Sequence, residues 1–70
     1  MMPLTMARVG EINSIKKVGG RGDTKRFLES LGFTVGGEVS VISENICGVI
    51  VNVKESRIAI SREMANKIMV

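Results

Sequence analysis

A small, mostly β domain, closed into a barrel from short strands, is what the sequence predicts. Three observations carry this expectation. The chain has 70 residues, enough for one domain spanning 1–70. Its apolar residues are dominated by Val and Ile through the second half, the β-branched kind that suits a half-buried sheet. Its punctuation is glycine, at Gly10, Gly19, Gly20, Gly22, Gly32, Gly36, Gly37 and Gly48, which cuts the chain into short elements.

Taken in order, Glu11–Val18 carries apolar residues at Ile12, Ile15 and Val18, a spacing equally good for a short helix or a bulged strand. Gly19–Asp23 is a loop, and Asp23 suits a helix N-cap. Thr24–Leu31 follows as a short helix with Phe27, Leu28 and Leu31 on one face and Lys25, Arg26 and Glu29 in water. Gly32 stops it as the residue that takes the left-handed position beyond the helix end. Gly36-Gly37 turns the chain into a strand over Glu38–Ser43, with Val39 and Val41 sharing a face. Glu44–Cys47 connects to Gly48–Val53, whose Val49, Val51 and Val53 alternate with Ile50 and Asn52. A tight turn at Glu55-Ser56 returns the chain as Arg57–Ile60, with Ile58 and Ile60 inward. Ser61 caps a last helical turn that buries Met64, Ala65 and Ile68, and Met69-Val70 closes the sheet.

The inventory excludes most catalytic chemistry. There is no histidine, so no Ser-His-Asp or Cys-His pair can form. The seven carboxylates are scattered and form no acid–base pair or calcium loop. Gly19-Gly20-Arg21-Gly22 is not followed by Gly-Lys-Ser/Thr, so it is a flexible turn rather than a phosphate loop. An enzyme is therefore not expected, and a chain this short has little room for a deep substrate cavity. The single Cys47 fits a reducing compartment; alone it is a weak metal ligand, since zinc takes four. Met1–Gly10 holds one charge, Arg8, and no long apolar core, so no secretory leader is expected. No run approaches the roughly 18 apolar residues of a membrane span. The expected location is the cytosol.

The formal charge is +3, and five of the ten basic residues fall early, at Lys16, Lys17, Arg21, Lys25 and Arg26, with only Asp23 among them. Such a patch favours an acidic protein, an anionic membrane surface or nucleic acid. Nucleic acid is disfavoured, because base-stacking surfaces present aromatics and this chain has only Phe27 and Phe33.

The segment Lys25-Arg26-Phe27-Leu28-Glu29-Ser30-Leu31-Gly32-Phe33-Thr34-Val35-Gly36-Gly37-Glu38-Val39 resembles the signature of FeoA proteins: a basic residue, a Leu-rich helical turn, Leu-Gly, an apolar residue, a Gly and a strand. The tail Ser56–Val70 is similar to the family's end, in which a short strand, a helical turn with Ala and an Ile-x-Val strand follow one another. The likeness runs from about Leu4 to Val70. It departs at Val35, where the family often has Pro, and at Gly48-Val49, where Gly-Pro or Asp-Pro is common.

The resemblance implies an SH3-like barrel with a helical insertion after the first strand and a helical turn before the last. It also implies an accessory role in bacterial ferrous iron uptake, as an interaction module on the cytoplasmic side of the FeoB-type membrane transporter, whose cytoplasmic part holds a GTPase. The surface expected to dock is the helix and the turn after it: Arg21, Lys25 and Arg26 for charge, with Phe33 as an exposed apolar anchor. Leu28 and Leu31 hold the helix to the barrel. Two alternatives remain beside this one. The first is a metal-responsive regulatory domain like that of iron-dependent repressors, in which ferrous iron or zinc joins two chains weakly through Cys47 and Glu44. The second is a small basic nucleic-acid-binding barrel. Self-association stays open, and no cofactor is firmly implied.

Overall fold

The computed structural model describes all 70 residues, Met1–Val70. Six strands and two short helices follow a 3-10 turn at Leu4–Met6: β1 (Ile12–Ser14), β2 (Lys17–Val18), α1 (Asp23–Ser30), β3 (Glu38–Glu44), β4 (Gly48–Val53), β5 (Ser56–Ser61), α2 (Arg62–Ala65) and β6 (Ile68–Met69). One sheet has the order β1-β3-β4-β5, and a two-stranded ribbon pairs β2 with β6. Every pairing within the two sheets is antiparallel. The alternating valines behave as their spacing demands. Val39, Val41, Val49, Val51 and Val53 are all buried on one face of the sheet, with Leu4, Ile15, Leu28, Ile60, Ala65 and Ile68 packed against them.

The ambiguous segment Glu11–Val18 is neither a helix nor one bulged strand. It is two short strands that change sheets at Ile15-Lys16. The Ile15 N–H donates to the Gly37 carbonyl on the β3 side (2.8 Å), and the next N–H, Lys16, donates to Met69 on the β6 side (2.7 Å). Ile15, buried at the corner, fixes the bend. A bulge at Ile42 shifts the β3–β4 register between Val41 and Ser43 and adds curvature. The chain then closes near its start: Met2 and Val70 exchange backbone hydrogen bonds of 2.9 and 2.8 Å.

Two local expectations are corrected. The α1 N-cap is Gly22, and Asp23 makes no capping bond; it is the first helical residue, where its negative charge still suits the helix start. The β4–β5 turn lies at Lys54-Glu55, one residue earlier than expected, and β5 starts at Ser56. Both turn residues have positive φ, 50° and 65°. That conformation belongs to the tight hairpin turn that favours Asn-Gly, which is why a Lys-Glu pair gave no signal there. Installing Lys54→Asn with Glu55→Gly is expected to stabilise the domain by about 1–2 kcal/mol, because Gly escapes the Cβ penalty of this region and Asn offsets it with local side-chain hydrogen bonding. A thermal melt checks it: the midpoint should rise by several degrees, and an unchanged midpoint would show that the turn carries no strain. Ser61, by contrast, caps α2 as expected, its hydroxyl accepting the Met64 N–H at 3.2 Å.

Candidate partner-binding surface

Helix α1 has eight residues and rests on the barrel through a narrow stripe. Leu28 is fully buried, while Thr24 and Leu31 are half-buried beside it. Phe27 is one step, about 100°, around the helix from Leu28. It therefore falls on the flank, and it is 48% exposed.

The two phenylalanines thus exchange the places expected of them. Phe33 is 0% exposed and is the largest fully buried side chain of the core, so it is not an exposed anchor. The cause is the helix stop. Gly32, at φ 111°, takes the left-handed conformation; its N–H donates to the Glu29 carbonyl (3.0 Å), and the Phe33 N–H reaches back to the Leu28 carbonyl (3.1 Å). This paired closure folds the residue after the glycine under the last turn, where it meets the side chain three residues from the helix end. Here those two side chains are Phe33 and Leu28, both at 0% exposure. The turn that follows is closed by the Gly37 N–H on the Thr34 carbonyl (2.9 Å) and leaves Val35 70% exposed.

The charged residues are where the sequence places them. Arg21 is exposed in the loop before α1, Lys25 and Arg26 are exposed on the helix, and Lys16 and Lys17 are exposed at the start of the ribbon. The ribbon adds one that sequence order hides. Val18 pairs with Ile68 and both face the core, so Lys17 and Lys67 lie on the opposite, outer face as diagonal neighbours. Only the closure of β6 onto β2 joins Lys67 to the early basic group. None of these cations is in an ion pair; the one ion pair of the structure joins Arg62 to Glu44 at 4.0 Å, both partners being exposed. The surface around α1 is thus a set of free cations flanked by a half-exposed phenylalanine. Free cations cost little to pair across an interface, because no internal partner has to be given up.

The other end of the domain carries the cysteine. Cys47 is exposed at the tip of the β3–β4 hairpin beside Ile46, which is 91% exposed. Asn45 fixes this tip: its side-chain oxygen accepts the N–H groups of Cys47 (2.8 Å) and Gly48 (3.0 Å). Glu44 is turned toward Arg62, and no group of three His, Cys, Asp or Glu side chains gathers anywhere in the chain. The concavities are open grooves: one of about 310 Å³ beside Cys47, Gly48 and Ala59, and one of about 270 Å³ over Ile12, Ser40 and Asn52. No helix is long and apolar enough to cross a membrane.

Comparison with known proteins agrees with this architecture. The model of the FeoA domain matches residues 2–70. A protein of Methanocaldococcus jannaschii named "Putative Fe(2+) transport protein A" is 39% identical over 70 residues, covering 100% of this chain and 85% of the relative. A crystal structure of an iron uptake regulatory protein (FeoA) superposes with a TM-score of 0.90 at 27% identity, covering 99% of this chain and 93% of the other. The zinc complex of Stenotrophomonas maltophilia FeoA, described as a prokaryotic SH3 domain protein, superposes with a TM-score of 0.87 at 22% identity over 100% of this chain and 89% of the other, a likeness of fold alone. The architecture is SH3-like, as the resemblance implies, and the chain belongs to the FeoA family.

Proposed function

We propose that this protein is a non-catalytic accessory module of ferrous iron transport that docks on the cytoplasmic side of a FeoB-type membrane transporter. The observation that carries the reading is the family match over residues 2–70, supported by a 39% identical relative named for Fe(2+) transport. The docking face in this reading is α1 and the loop before it: Arg21, Lys25 and Arg26 meet acidic groups, and Phe27 supplies the apolar anchor first assigned to Phe33. Binding acts on the transporter by differing in strength between two of its conformations, since a ligand of equal affinity for both shifts nothing. Iron is the transporter's cargo in this account and needs no site on the module.

The test is recovery of the transporter from detergent-solubilised membranes by the tagged chain, with and without GTP. Capture in at least one nucleotide state is expected. Failure in both would overturn the assigned partner. The variant Arg26→Glu with Phe27→Ala should lose capture by at least about tenfold, a charged contact and a small anchor together exceeding 1.4 kcal/mol. Its thermal midpoint should stay close to that of the parent, because both side chains are exposed. Undiminished capture by the folded variant would remove this face from the interface.

A further inference from the structure

β5 is the outer strand of the four-stranded sheet, and only one of its edges is occupied. The two-residue turn at Lys54-Glu55 makes Val53 and Ser56 a hydrogen-bonded pair. Pairing then alternates, so Ser56, Ile58 and Ile60 aim their backbone groups at β4. Arg57 and Ala59, with the N–H of Ser61, aim theirs outward, and no backbone bond from elsewhere in the chain meets them. Of the usual protections of a free edge, only one charged side chain is present. β5 is six residues long, pairs without a bulge from Ser56 to Ser61, contains no proline or glycine, and bears a single charge at Arg57.

The edge is also self-complementary. Its outward-facing residues, Arg57, Ala59 and Ser61, are spaced evenly about Ala59, and the strand reads Ile58-Ala59-Ile60 at its centre. We propose that a second copy of this chain adds to β5 as an antiparallel strand about a two-fold axis at Ala59, joining the two sheets into one. In that register the Ala59 residues of the two copies exchange their N–H and C=O groups. Arg57 stands opposite Ser61 of the second copy, so the two arginines are kept a strand apart. On the core-facing side Ile58, only half-buried in the single chain, meets Ile60 of the second copy. The pairing uses β5, whereas the docking face proposed above lies on α1 beside the β2–β6 ribbon, so one outcome does not decide the other. Pairing along a single strand edge buries little apolar area, and the dimer is accordingly weak.

Sedimentation of the whole chain from micromolar to millimolar concentration tests the proposal. The expected result is a reversible monomer–dimer equilibrium. Ala59→Pro removes the central outward N–H without touching the β4 ladder, and should raise the dissociation constant by at least about tenfold with an unchanged circular dichroism spectrum. Should the proline variant not fold, Ala59→Lys and Ala59→Glu replace it. Each places like charges face to face across the axis on an exposed position and should be monomeric, and mixing them should restore the dimer. A parent chain that stays monomeric at millimolar concentration overturns the proposal. So does a dimer that survives both charge variants, and so does a mixture that fails to reassociate.

Discussion

Phe33→Ala should leave little of the chain folded at room temperature. Truncating a fully buried phenylalanine typically costs about 3–5 kcal/mol, the transfer term plus the cavity it leaves. A domain near this size begins with roughly 5 kcal/mol in all. Phe33 is the largest fully buried side chain and sits at the junction of α1 with the sheet, so the cavity opens where the helix is attached. Urea unfolding followed by circular dichroism is the measurement, and the midpoint should fall far below that of the parent. Phe27→Ala is the control: at 48% exposure its loss should cost well under the Phe33 value. Equal losses for the two variants would contradict the assignment of one phenylalanine to the core and the other to the surface.

Gly48→Ala should be nearly as damaging, for a different reason. A Cβ built at Gly48 runs into the Ile60 carbonyl oxygen and closely approaches the Ile60 carbonyl carbon and Ser61 Cα, all backbone atoms of β5. No rotamer relieves a clash with backbone, so the ladder itself must part where Gly48 pairs with Ser61. A cost of about 3 kcal/mol is expected, the upper end of the range for overpacking. The same denaturation measurement checks it. A loss below about 1 kcal/mol would mean that the strand end yields freely. The pairing of Gly48 with Ser61 also explains why this position holds the smallest residue: β5 passes too close for any side chain.

The parts of the fold legible in the sequence are those whose signal is local and repeated. Alternating valines placed β3 and β4 and chose their inner face, and a serine followed by an amphipathic turn placed α2. The helix stop at Gly32 was legible too, but its consequence was not. Helical periodicity assigns Phe27 to the Leu28 stripe, and nothing in periodicity applies to Phe33, which lies beyond the helix. The geometry of the left-handed stop decides that placement, and it turns Phe33 inward. The sheet change at Ile15-Lys16 was invisible because each of its two strands is too short to show a period. For the candidate surface, the cations of the loop and helix were legible as a run of like charge. Lys67 was not, since it reaches them only through the β2–β6 pairing, from the opposite half of the chain.

The backbone exchange between Met2 and Val70 makes the molecule a ring whose last link is a hydrogen-bonded one rather than a peptide bond. Topologically, where such a ring is cut is a secondary matter. A few residues bridging Val70 to Met2 would complete it covalently, and new ends could be opened at the exposed Ile46-Cys47 tip without breaking any strand. The price of closing a loop of this length, roughly 4 kcal/mol of chain entropy, falls on the natural order of the sequence. A ring permuted in this way would join β6 to the Met2-Pro3 segment through a short hairpin instead, so the longest-range contact in the chain would become one of its most local.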